Sequence, residues 1–214
     1  MARHHRFIRL RVLTVALLAA LLGPAVAVPP AAAAPFVCSA GFECSFISGQ
    51  YQIRNNYCGP AAAATVLTNW FVSGVSQQSL ASRMGTDNIG FTSPLAMDDA
   101  LNSIISAELA YPGFKPYTTY RSVTNAQLWD AVRYKVKYWD DVFVITVYAH
   151  KIWYPNAGTG IAHYLVVYGY SEAAGGYMVW DPAPGGGGAH HLSKNDWERV
   201  AYPGRFVVVP MWGE

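Results

Sequence analysis

The sequence predicts an α+β domain, with an N-terminal helical layer packed on a C-terminal antiparallel sheet. Apart from one short helical pattern near residues 193–198, the helical patterns of the body lie within residues 59–138, and β-branched and aromatic runs begin only at Val142. Helices followed by strands, rather than alternating with them, argue for segregated layers. Composition sets the scale: 214 residues with 52% apolar and 13% charged side chains supply one sizeable core and exclude a disordered chain or a coiled coil.

Gly59 to Phe71 reads GPAAAATVLTNWF, rich in alanine, with Pro60 in the first turn where a missing N–H costs nothing. It is apolar nearly all round, which predicts burial. Gln77 to Met84 is a short helix closed by Gly85, and Pro94 to Ser106 is another with Ser93 as N-cap. Thr124 caps a fourth, Asn125 to about Tyr138, whose apolar stripe is Leu128, Trp129, Val132 and Val136. The period then changes. VFVITVY (142–148), YLVVYGY (164–170), YMVW (177–180) and RFVVV (205–209) are strands bounded by Gly, Pro or Asp. A short capped helix, Ser193 to Glu198, precedes the last of them.

Residues 1–34 read as a secretory signal peptide. Arg3, Arg6, Arg9 and Arg11 form a cationic start, Val12 to Leu22 an apolar run, and Gly23-Pro24 a break before small residues. The run is shorter than the roughly 17–25 residues of a spanning helix, so the expectation is a secreted chain with no stable membrane association. Cleavage is expected after Ala27 or near Ala34. The formal charge of +2 hides a slightly acidic body, because without the four leader arginines 11 bases face 13 acids. No dense basic stripe is present to neutralise phosphates, so nucleic acid is not expected as a partner; Arg133, Lys135 and Lys137 read as a solvated helix face.

Export makes three cysteines informative, since thiols pair in an oxidising compartment and three cannot all pair within one chain. Cys38 and Cys44 flank a short Gly-containing stretch and can close a small loop across residues 35–50, leaving Cys58 over; a Cys44–Cys58 bridge is the alternative. The tied segment could serve as a pro-segment or a lid over a cleft.

Cys58 stands at the head of the buried helix, where unpaired N–H groups and the positive end of the dipole favour a thiolate. Gly59 is expected to leave the approach to the sulfur open. Gln52 precedes Cys58 by six positions, and its amide N–H could join the Cys58 backbone N–H in stabilising an oxyanion. A nucleophilic cysteine needs a base. His163 heads the most hydrophobic strand after a Gly-rich loop, whereas His150 reads as a loop residue and His190 and His191, after four glycines, as solvent-exposed. Asp181 ends the next strand. A turn near Ser171 to Gly176 would bring it beside His163 to orient the ring. No metal site is indicated, because no Cys or Glu lies at ligand spacing from the histidine pair, and this chemistry needs no cofactor.

Together these positions resemble the papain-like cysteine peptidases, and within them the peptidase C39-like, bacteriocin-processing-like group. The matching residues are Gln52 with Asn56-Tyr57-Cys58-Gly59-Pro60-Ala61-Ala62, then His163 to Val167 with Gly169-Tyr170, then Val179-Trp180-Asp181-Pro182, and the Ser193 to Trp197 segment. The resemblance covers roughly residues 50–200 and implies a papain-like peptidase domain over 51–214. It also implies Cys58 as nucleophile, His163 as base, Asp181 as orienter and Gln52 as oxyanion donor, acting on a peptide or protein substrate. Processing members cut leader peptides after Gly-Gly and are usually joined to a transporter. This chain shows no membrane domain, so a free, monomeric, secreted hydrolase is expected instead. The alternatives are a cell-wall amidase or endopeptidase of NlpC/P60 or CHAP type, a transpeptidase acting on glutathione-like thiols, and a non-catalytic binding module. In the last, Trp139, Trp153, Tyr154 and Tyr202 would form an exposed platform.

Overall fold

The computed structural model describes residues 33–34 and 38–211. The signal-peptide reading therefore falls, apart from Ala33 and Ala34, outside the described residues. The elements run β1 (Ala33–Ala34), β2 (Glu43–Cys44), β3 (Gly49–Gln50), α1 (Cys58–Asn69), α2 (Gln77–Arg83), α3 (Pro94–Glu108), β4 (Tyr117–Tyr120), α4 (Asn125–Trp139), β5 (Phe143–Tyr148), β6 (Ala162–Ser171), β7 (Gly176–Asp181), β8 (Gly188–Ser193), α5 (Trp197–Val200) and β9 (Val207–Pro210). The sheet is antiparallel in the order β4-β9-β5-β6-β7-β8, with β2 added beside β6.

Both faces of that sheet are covered. Val144, Val166, Met178, Trp180 and Val208 face α1, α2 and α3 in one core; Ile145, Leu165, Val167, Val179 and Val207 face α4 and α5 in a second. Two-sided burial is why β5 and β6 read as continuous apolar runs rather than alternating ones. The helices form where their local signals place them. Thr124 and Gln127 make a reciprocal capping box at α4, and Ser76 accepts from the Ser79 N–H at α2. Ser93 occupies the N-cap of α3 but its side chain makes no capping bond, leaving Pro94 to set the first turn.

Besides the two-residue strands β1, β2 and β3, two strands were not expected. β4 pairs with β9, and β8 extends the sheet beyond β7, carrying His190 and His191 within the ladder rather than on a free loop. His190 is half-buried, with its ring stacked on Trp153 at 4.0 Å, which corrects its expected exposure; His191 is exposed. The last strand starts two residues later than expected, because Arg205 has a positive φ of 44° that breaks extended backbone.

The N-terminal segment is stitched to both layers. Cys38 and Cys44 are disulfide-bonded and Cys58 is free. Cys44 lies opposite Gly169 of β6, where a Cβ would come within 2.8 Å of the Cys44 sulfur, so only glycine admits the strap. On the other side, the N–H groups of Ser48 and Gln50 donate to Thr68 and Thr65 on α1 at 2.8 and 2.9 Å. Among the described residues, none between 38 and 50 lines the cleft described next.

Candidate active site

The cleft, of about 490 Å³, opens between the start of α1 and the ends of β5, β6 and β7, and Gln52, Cys58 and His163 all line it. A second hollow of about 370 Å³ lies between α4 and the β4–β9 edge and holds none of the four predicted residues.

Cys58 is the first residue of α1, with no acidic side chain in the first turn, so nothing there opposes the positive helix terminus. Gly59 does not serve the purpose expected of it. A Cβ there would fall 2.5 Å from Thr92 Oγ1 and 2.8 Å from Thr92 Cβ, so the missing side chain makes room for the 86–92 loop rather than for a substrate. That loop is tied to the sheet, because the Tyr164 hydroxyl donates to the Thr92 carbonyl. Asn56 Nδ2 donates to the Asp87 carbonyl at 3.2 Å, fixing the loop to the turn before the nucleophile.

His163 is the second residue of β6 and pairs across to Val147 of β5. Its Nε2 is 2.7 Å from Asp181 Oδ1, and the two groups are 7% and 0% exposed. The β6–β7 hairpin makes this meeting by register: Ser171 faces Gly176 at the turn and Val166 faces Trp180 at the other end. Burial works to depress the ring's pKa. Hydrogen bonds and charge from Asp181 and Cys58 outweigh it and push His163 up to about 10, so the imidazolium is the favoured form.

Gln52 is held by its neighbours. Its own N–H donates to the Pro182 carbonyl at 2.8 Å. The buried Gln77 amide brackets it, donating to the Tyr51 carbonyl at 2.7 Å and accepting from the Ile53 N–H at 3.1 Å. Gln52 Oε1 is buried and has no hydrogen-bond partner among the described residues.

Two contributors escaped sequence reading. Gln77 was read only as the first residue of a short helix, yet it is 4% exposed. Tyr154 was placed among exposed aromatics, yet its hydroxyl donates to Asp181 Oδ2 at 2.9 Å. The platform is not formed: Trp139, Trp153, Tyr154 and Tyr202 are all half-buried, with Tyr154 against His163 and Tyr202 against Tyr148. His150 does not line the cleft. Among the described residues no group of three or more His, Cys, Asp or Glu side chains could hold a metal ion, and no helix is long and apolar enough to cross a membrane.

No curated protein matches the sequence. Among solved structures, a double glycine motif protease from an AMS/PCAT transporter, in complex with its leader peptide, is 16% identical, with a TM-score of 0.50 over 78% of this chain and 94% of that one. The peptidase domain of Streptococcus ComA, a bi-functional ABC transporter in a quorum-sensing pathway, is 21% identical, with a TM-score of 0.49 over 75% and 96%. Residues 46–204 match the model of the Peptidase_C39 like family. That match takes in most of the sequence, and the helix-on-sheet architecture agrees with it: the chain belongs to the peptidase C39-like family, as a cysteine peptidase of papain-like fold.

Proposed function

We propose that this chain is a secreted cysteine peptidase that hydrolyses peptide or isopeptide bonds through Cys58, His163, Asp181 and Gln52. The observation that carries the reading is the buried His163–Asp181 pair, 2.7 Å apart, with His163 lining the cleft that the free thiol also lines. The Cys58 thiolate adds to the substrate carbonyl, forming a tetrahedral oxyanion held by the Cys58 N–H and the Gln52 amide. The intermediate collapses as His163 gives its proton to the leaving amine, producing a thioester. Water, deprotonated by His163, then attacks the thioester, releasing the carboxylic acid product and restoring the thiolate–imidazolium pair.

A peptide substrate is supported by the leader peptide bound in the similar solved protease. Export is supported by the Cys38–Cys44 disulfide, a bond that persists in oxidising compartments. Antiparallel pairing of Ala33–Ala34 with Gly49–Gln50 favours signal cleavage after Ala27, which leaves that pair in the mature chain.

The test is a peptide library offered to the purified mature chain and to its Cys58→Ala variant, with iodoacetamide labelling of Cys58 at mildly acidic pH. Peptide turnover that disappears in the variant, together with fast labelling, is expected. Full activity in Cys58→Ala refutes the assignment, and turnover of purified peptidoglycan with no peptide cleavage replaces the peptidase by a cell-wall amidase.

A further inference from the structure

Asp181 accepts more than the imidazole. Its Oδ1 takes His163 Nε2 at 2.7 Å and the Ala183 N–H at 2.8 Å, and its Oδ2 takes the Tyr154 hydroxyl at 2.9 Å. The carboxylate is wholly buried, so each acceptor position left empty there would cost desolvation without return. The backbone N–H comes from the same turn as Asp181 and moves with it. Tyr154 comes from the β5–β6 loop, 27 residues away in sequence, and so ties the carboxylate to an independent part of the fold.

The same tyrosine touches the base. Its ring lies edge-on to His163, with centroids 5.7 Å apart and planes at 76°, a favourable aromatic geometry. Tyr154 also lines the cleft, as His163 does, so its ring covers part of the imidazole at the cleft wall. Burial first, and then the negative charge of Asp181, hold its hydroxyl in the protonated, donating form.

We propose that Tyr154 is a positioning residue of this peptidase: its hydroxyl fixes the second oxygen of Asp181 while its ring walls His163, keeping the pair aligned and dry. The inference rests on the roles assigned to His163 and Asp181 above. It adds a further member that acts through them, without contact to the reacting atoms. A hydrogen bond fixed before the reaction supplies orientation in the transition state rather than substrate affinity, so its loss is read in kcat.

The experiment compares wild type with Tyr154→Phe, which keeps the ring and removes the donor. A cleaved library peptide serves as substrate, and the His163 ring proton is followed by NMR in the Cys58→Ala background. The expected result is a kcat about tenfold lower, equivalent to about 1.4 kcal/mol, with KM within about twofold. The ring N–H signal facing Asp181 should shift upfield or broaden by exchange with water. Tyr154→Leu, which also lacks the donor, should give the same split and carries the test if the Phe variant fails to fold. The proposal is overturned by unchanged kcat with an unmoved ring proton, by a rise in KM alone, or by lowered thermal stability with both readouts intact. Because the NMR arm needs no turnover, it stands even if Cys58→Ala proves fully active, an outcome that would sink the peptidase assignment instead.

Discussion

Replacing Asp141 by Asn should stabilise the protein above neutral pH and change little in acid. Asp141 follows the left-handed Asp140 that ends α4 and is 5% exposed, with its Oδ2 buried and unpartnered among the described residues. Burial, helped by Asp140 and partly opposed by Lys135, pushes its carboxyl from 3.8 up to about 7. A raised carboxyl pKa means that the folded state keeps a proton the unfolded state has lost, so stability falls as pH rises from about 4 to about 7. Three pH units at about 1.4 kcal/mol each give a ceiling of about 4 kcal/mol. Local relaxation and water entry reduce this to about 2 kcal/mol, or about 4–8 °C in Tm for a chain of this size. The assay is thermal unfolding of both proteins from pH 4.5 to 8.5 with the disulfide intact. The difference between the curves cancels titrations common to both. The Asp141→Asn variant should show a higher Tm than wild type at pH 8 and converge with it near pH 4.5. Equal Tm at pH 8, or a parallel pair of curves, would show that the carboxylate is solvated or fully paired with Lys135, and the argument would fail.

Asp181→Ala should lower kcat by about two orders of magnitude or more, because the ring loses both its orienter and its charge partner. In wild type the imidazolium is stabilised from below its ordinary pKa up to about 10, so the alkaline limb of kcat should lie near there and move to lower pH in this variant. Gly59→Ala should cost about 1–3 kcal/mol in chemical denaturation, since its methyl group meets Thr92; an unchanged midpoint would mean that the 86–92 loop yields freely. Gln77→Leu should raise the susceptibility of residues 51–53 to amide exchange and lower kcat, as two backbone partners lose the side chain that brackets Gln52. Unaltered exchange would show that the Pro182 bond alone suffices.

The helices were legible because their signals are local: a cap, an apolar stripe and a glycine stop lie within one or two turns of each other. The meeting of His163 and Asp181 was legible because a hairpin converts a short sequence separation into register. β4 and β8 were not, for opposite reasons. YTTY pairs with a partner some ninety residues away, and GAHHLS has little β-forming character except at its end. Burial on both sheet faces was not read from the sequence, which predicts one helical layer on the sheet, although the unbroken VFVITV run is what two-sided burial produces. Gly59 was misread because sequence shows that a side chain is missing but not which neighbour takes the space. Tyr154 was invisible as a contributor, since a loop has no period and its hydroxyl partner lies on another strand.

Sulfur and imidazole are furnished by different architectural halves, α1 in the helical layer and β6 in the sheet, with a hundred residues of chain between them. A growing polypeptide therefore possesses a thiol long before it possesses a base, and even a synthesised β6 remains without its carboxylate until the β6–β7 hairpin closes.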